Sequence, residues 1–285
     1  MHPDQLVLGH INVLVARACA LGHDLYNVLR AASVHPVDHY GLPVGQLRVG
    51  DAADFIVVDD LTQMSVSQTW IDGVLVSDSG VAQWTSETAL AINNFVVNEI
   101  NLDELRDPIA GSRVRVIVAH DGELVTTEEI ADVADAAIQK IVVINRYAAA
   151  PPAIAYIKNI GLRRGAFAST VAHDSHNIIA CGVSDDDILK AVNAVIRAQG
   201  GISVSDSSRV DVLPLPVGGL MSQGSYADVA HQYMALDGMV KELGSTLRAP
   251  FMTLSFMALL VIPSLKLSDK GLFDGSSFQF CDVHL

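Results

Sequence analysis

The sequence predicts an α/β (α+β) chain, and three observations predict it. Helical spacing over residues 1–40 gives way at Gly41 to a turn-rich β pattern. From about residue 91, short apolar runs of β character alternate with helical stretches, without a repeat of fixed period that would indicate a solenoid. Half of the 285 residues are hydrophobic and 21 are glycine, which allows a sizeable core joined by many tight turns.

In the first stretch, Leu6, Ile11, Leu14, Val15, Ala18 and Leu21 recur at helical intervals and predict one helix over Asp4–Leu21, stopped by Gly22. Asp24 caps a second helix through Leu25, Val28, Leu29 and Ala32. His35-Pro36 is expected to break it, because the residue before proline disfavours the α region. After the turn-rich Gly41–Asp54 comes a β run at Phe55–Val58. Trp70–Val76 then reads as a hairpin turned by Asp72-Gly73. Asp51 and Asp54 fit the role of turn acceptors better than that of metal ligands. The asparagines at 93, 94, 98 and 101 suit a crossing segment.

Farther along, Val114–Val118 predicts a strand and His120-Asp121-Gly122 a turn, with a short helix or an extended link around Glu128–Ile138. Ile141–Ile144 is a buried-strand candidate, and Pro152–Ile160 predicts a short helix stopped by Gly161. Ser184, followed by three aspartates, caps a helix whose apolar positions are Ile188, Leu189, Val192 and Val195. Gly200-Gly201 ends that helix, and Ile202–Val204 and Val210–Leu213 pair around Asp206-Ser207-Ser208. The prolines of Leu213–Ser222 require an edge or a loop. A helix follows over Tyr226–Leu243, and Met252, Phe256, Met257 and Leu260 form the core face of a shorter one. Lys266, Asp269 and Lys270 are expected to be solvated or to cap.

Charge and cysteine usage narrow the function classes. Eighteen basic against 32 acidic residues give −14, which speaks against nucleic acid as a partner. Cys19, Cys181 and Cys281 form no CxxC pair, so neither a zinc ribbon nor a disulfide framework is expected, and a reducing cytoplasm fits. The N-terminus does not read as a signal peptide. The most apolar run, Phe251–Pro263, is too short to cross a bilayer, so no membrane partner is expected.

Chemistry concentrates in His173-Asp174-Ser175-His176-Asn177, which is flanked by apolar Ala166–Ala172 and Ile178–Cys181. Five adjacent donors and acceptors inside such a run are costly unless each finds a partner, so the cluster lines a site or knits a core network. On a regular strand His173 and His176 would point to opposite faces, so they could share a metal only in a bulge or turn. No nearby cluster supplies the third and fourth ligands of an ordinary site.

Two groups of segments carry a resemblance. HPVDHYGL, GQLRVGDAADFIVVDDL and WIDGVLV resemble the closing segment of the amidohydrolase superfamily. His2-Pro3-Asp4 resembles the sequence just after the eighth barrel strand of adenine deaminases. The stretches GLRRGAFASTVAHDSHNI, AQGGISV, LPLPVGGLMS, PFMTLSFMALLVIPSLKLSDKGLF and FQF resemble, in order and spacing, the C-terminal domain particular to adenine deaminases. Asn145, Tyr147 and Leu260 depart from the glutamate, histidine and proline that this family often carries.

The resemblance implies three parts: the last helices of a (β/α)8 barrel over 1–40, a β-sandwich portion over 41–90, and an α/β C-terminal domain over 91–285. It implies hydrolytic deamination of adenine to hypoxanthine and ammonia, in purine salvage, at a binuclear manganese or iron centre of the complete enzyme. The family's ligand set begins with an HxH pair, which this sequence lacks, so no metal is expected to be bound by this chain alone. His173, Asp174, Ser175, His176 and Asn177 then become candidates for contact with the purine or for support of the metal's ligands. Adenine is the implied substrate, and a homo-oligomer or association with the missing barrel the implied assembly. The alternative is a non-catalytic binding or assembly module packed on a separate catalytic partner.

Overall fold

The structure is a computed structural model that describes residues 3–85, 87, 90–107 and 113–285. His2, singled out above, lies outside the described residues. The chain divides into two compact units, Met1–Thr88 and Ala89–Leu285.

The first unit begins with four helices: α1 (Pro3–Leu6), α2 (Ile11–Ala20), α3 (Leu25–Ala32) and α4 (Val34–Tyr40). The single helix expected over Asp4–Leu21 is two. Gly9 takes φ 150°, outside the helical region, and the backbone N–H of His10 is held by the Asn12 side chain at 2.9 Å. The Asp24 cap forms as expected, its carboxylate accepting from Asn27 N–H at 3.0 Å. Pro36, by contrast, starts no break. It lies in the first turn of α4, where a missing N–H leaves no helical bond unmade.

A four-stranded antiparallel sheet follows, built in chain order from β1 (Phe55–Val58), β2 (Val66–Ile71), β3 (Val74–Asp78) and β4 (Val81–Ala82). The expected hairpin is present, with Asp72 and Gly73 both at positive φ. Asp54 is the turn acceptor predicted. Its two oxygens take the N–H groups of Gly45 and Asp72, each at 2.7 Å, and these two bonds hold its pKa below the usual carboxylate value. Val15 and Met64 are the buried apolar side chains among the described residues of this unit, whereas Leu8, Leu21, Leu47 and Val49 are exposed.

In the second unit, eight strands form one sheet: β5 (Arg113–Ala119), β6 (Thr126–Asp132), β7 (Ile138–Ile144), β8 (Ala153–Lys158), β9 (Ala166–Ser169), β10 (Ile178–Gly182), β11 (Gly201–Ser205) and β12 (Val210–Pro214). Their order is β12-β11-β9-β10-β7-β8-β5-β6, antiparallel except for the β5–β8 pair. Helix α5 (Asp185–Arg197) packs Ile188, Val192 and Val195 on the face that carries Val142, Ile144, Ala168 and Ala180. The opposite face, with Ile141, Val143, Phe167, Ile179 and Val204, is covered by α6 (Tyr226–Glu242), α7 (Pro250–Phe256) and a small sheet. That sheet consists of β13 (Leu265–Ser268), β14 (Gly271–Asp274) and β15 (Gln279–Phe280). Both faces being covered, β9, β10 and β11 are buried at every position instead of alternating.

Two expectations fail in this unit, and one open alternative is decided. Ala153–Lys158, within the stretch expected to be a helix, form the strand β8; β8 lies between β7 and β5, and these neighbours satisfy its backbone. Around Glu128 the extended alternative holds and the helix does not: Thr126–Asp132 is the strand β6, paired along its length with β5, with a turn before β7. Lys266 is not solvated: it is 0% exposed, and its Nζ donates to the Leu124 carbonyl at 2.6 Å. Burial lowers its pKa to about 8. The Ser184 cap, the Gly200-Gly201 stop, the β11–β12 hairpin and the helix from Tyr226 all form as read. The crossing segment is tied to α5 by Asn193, whose amide both accepts from Ile100 N–H and donates to Ile100 C=O, each at 3.0 Å.

Candidate functional site

The register of the eight-stranded sheet brings several loops to one of its ends. Ile178 pairs with Ile144, so the motif before β10 lies beside Asn145-Arg146-Tyr147 after β7. Ser169 pairs with Ile179 and Ile202, and Gly201 with Pro214, which places the loop after β12 at the same end. Thr170 fastens these loops together. Its hydroxyl accepts from Gly201 N–H at 2.8 Å and donates to Gly219 C=O at 2.6 Å.

The five candidate residues occupy the connection between β9 and β10, and they divide by burial. Asp174 and Ser175 form an exposed tip, His173 and His176 are half-buried, and Asn177 is buried. Asn177 Oδ1 accepts from the backbone N–H of Arg146 at 3.2 Å, and the Tyr147 hydroxyl donates to Ser175 C=O at 2.7 Å. His173 donates its backbone N–H to Ser255 C=O, and its ring stacks on Phe256 with centroids 5.2 Å apart. The His173 and His176 rings come to 5.8 Å, edge to face. The connection does turn, as sharing a side requires, with His176 at φ 53°.

His176 Nδ1 is screened from solvent and has no hydrogen-bond partner. Burial, first, and then the neighbouring His173 and Arg146 hold its pKa below the usual histidine value, against a weaker upward pull from Asp174. The ring is therefore neutral at pH 7, with one nitrogen that donates and one that accepts.

Arg146 is the residue that the motif search missed. It follows the buried run of β7 and is 4% exposed. Its Nη2 donates to Tyr147 Oη at 2.9 Å and Gly218 C=O at 2.8 Å, and its guanidinium lies 4.7 Å from the Tyr147 ring and 5.7 Å from that of Phe95. Gly219, at φ 72°, leaves the room: a Cβ there would overlap Nη1. Asn145 completes the corner by donating to Asp269 at 2.8 Å. An arginine two residues after the apolar run Ile141–Ile144 was the sequence signal for this cluster. Among the described residues, no group of three or more His, Cys, Asp or Glu is placed to hold a metal ion. Among those residues the two histidines therefore meet no third ligand of the kind an ordinary metal site uses.

Comparison with known proteins gives the family of the chain. Residues 116–279 match the family model of the adenine deaminase C-terminal domain. The chain belongs to that family. Residues 4–76 match the amidohydrolase family. A protein named adenine deaminase from Sulfurovum is 51% identical over 99% of this chain and 53% of its own length. Those of Salinibacter ruber and Borreliella burgdorferi are 49% and 41% identical, over 99% of this chain and 54% of their own lengths. The chain thus spans about half the length of the curated relatives it matches. Helices and strands combine in the α/β fold expected, and among the described residues no helix is long and apolar enough to cross a membrane.

Proposed function

We propose that this chain is the C-terminal part of an adenine deaminase, a hydrolase that converts adenine to hypoxanthine and ammonia in purine salvage in the cytoplasm. The observation that carries the reading is 51% identity over 99% of the chain to a protein named adenine deaminase. In this reading residues 1–40 end a (β/α)8 barrel, 41–90 belong to a β-sandwich, and 91–285 are the C-terminal domain. The amidohydrolase match supports a metal-bearing barrel in the whole protein. The described residues of this chain do not fit a metal centre, so the binuclear manganese or iron belongs to the part of the relatives' length that the chain does not span. There it would lower the pKa of the attacking water.

The chain's own contribution is a wall of positioned hydrogen-bonding groups. Neutral His176 offers one donor and one acceptor, the complement of a neutral purine edge, and Asn177 and Tyr147 hold its loop in place. His173 braced on Phe256, with Asp174 and Ser175 at the tip, completes the surface that meets the substrate or supports the metal's ligands. The exposed apolar side chains of the first unit support association with the barrel or with a second copy.

Two measurements test the reading. The purified chain should not deaminate adenine even with manganese, and should do so when joined in frame to the preceding segment of the Sulfurovum relative. Turnover by the chain alone would overturn the half-enzyme reading, and a folded but inactive joined polypeptide would favour the binding module. In an active joined enzyme, His176→Ala should lower kcat without a matching loss of stability. Equal loss of both would make the motif a structural network.

A further inference from the structure

The turn between β13 and β14 and the segment after β15 both line a cavity of about 530 Å³ in the second unit, a volume in the range of small-molecule sites. None of its lining residues belongs to the His173–Asn177 connection. It lies at the same end of the sheet, since Ala153 at the start of β8 pairs with Val143, and Asp269, beside Lys270, accepts from Asn145 at 2.8 Å. Backbone bonds fix both segments. Ser268 pairs with Gly271, and the Ser268 hydroxyl accepts from Lys270 N–H at 3.0 Å. Cys281 N–H donates to Leu272 C=O at 3.0 Å, and Val283 C=O accepts from Arg115 N–H at 2.7 Å.

The charged groups of the cavity divide into one that is met by donors and two that are not. Asp107 accepts from Tyr156 Oη at 2.7 Å and from His284 Nε2 at 2.8 Å. Lys270 and Asp282 differ. Both are exposed, both line the cavity, and neither side chain makes a hydrogen bond or ion pair with a described residue. One concave surface thus carries a positive and a negative pole that do not close on each other. Much of the rest is apolar: Pro152, Ile154, Leu272 and Phe280, whose ring is steadied edge to face on Phe273 with centroids 5.2 Å apart. Burial holds the Cys281 thiol above its usual pKa, so it joins this wall as a neutral group.

We propose that the cavity binds a small zwitterion with an apolar side chain, a free aliphatic α-amino acid. The carboxylate of the ligand accepts from Lys270 Nζ, its ammonium donates to the Asp282 carboxylate, and its side chain lies against Ile154, Leu272 and Phe280. An ion of a single sign would gain one pole and be repelled by the other. The inference goes beyond the deaminase reading and does not rest on it. The test below reads binding alone, so its failure leaves that reading standing, and the reverse holds too.

The experiment titrates the purified chain with L-leucine, followed by calorimetry and by amide NMR shifts. Glycine, isocaproate and isopentylamine serve as controls that lack in turn the side chain, the ammonium and the carboxylate. Saturable one-to-one binding of leucine that shifts the Gly271, Phe280 and His284 amides is expected, with every control weaker by about tenfold or more. Lys270→Gln and Asp282→Asn should each weaken leucine binding about tenfold. Both side chains are exposed and unbonded, so neither change should disturb the fold, which circular dichroism checks. Absence of saturation, equal affinity for isocaproate or isopentylamine, shifts confined to residues away from the cavity, or undiminished binding in the two variants would overturn the proposal.

Discussion

Adding one methyl group at Gly219 tests whether Arg146 is held as tightly as its contacts imply. Gly218 and Gly219 both take left-handed φ, 64° and 72°, so alanine at either costs about 1 kcal/mol of backbone strain. At Gly218 nothing lies within 4 Å of the added Cβ, and that strain is the whole expected loss. At Gly219 the Cβ overlaps Nη1 and comes within 2.9 Å of the guanidinium carbon. The guanidinium has little freedom to withdraw, because Nη2 is bonded to Gly218 C=O and Tyr147 Oη, and the Phe95 ring lies on it. Overpacking of this kind adds about 1–3 kcal/mol. Gly219→Ala should therefore lose about 2–4 kcal/mol and Gly218→Ala about 1. Urea unfolding should be followed by far-UV circular dichroism, since Trp70 and Trp84 both lie in the first unit and would report on it. Hydrogen exchange at the Ile144 and Ile179 amides localises the loss to the second unit. The extra loss at Gly219 should shrink in an Arg146→Gln background, because the overlapping atoms are then gone. Equal losses at the two glycines would refute the claim that the guanidinium is fixed.

Asn193→Ala should cost about 2–3 kcal/mol, because it leaves both polar groups of the buried Ile100 backbone without partners; faster exchange at the Ile100 amide would accompany it. Lys266 has a folded pKa of about 8, below its unfolded value. The unfolded chain therefore binds more protons between about pH 8 and 10.5, and stability should rise with pH across that window. Lys266→Met should flatten the rise and move the urea midpoint at pH 7 upward; an unchanged pH profile would mean that the amine is solvated. His176 should titrate by NMR below the usual histidine value, and Arg146→Gln should move its midpoint up by removing a like charge.

Features set by neighbours in the chain were legible from residue types alone. Asp24 and Ser184 cap because a short oxygen-bearing side chain reaches back to an N–H three residues on. Asp72-Gly73 turns the hairpin because both residues tolerate positive φ. At Ala153–Lys158 the same reasoning failed. A short apolar run carries no period that separates a strand from a buried helix, and the pairing partners of β8 lie at residues 113–119 and 138–144. Lys266 misled for a related reason: lysine is solvated by default, and only the arrival of Leu124 C=O from another segment makes its burial tolerable.

The candidate site divides along the same line. His173 to Asn177 stood out because polar groups interrupt an apolar run, and that pattern, with the segments around it, was enough to place the chain in its family. Which of the five are exposed and which are buried was decided by the register of β10 against β7. That register sets Asn177 beside Arg146 and leaves Asp174 and Ser175 at the tip. In the sequence Arg146 is a single charge two residues after an apolar run. Its burial depends on Gly218, Gly219, Phe95 and Tyr147 converging from three segments, and sequence order carries no record of such convergence. Local chain chemistry determined the caps, the turns and the family of this protein; long-range packing alone decided the strand identity of residues 153–158 and the burial of Lys266 and Arg146.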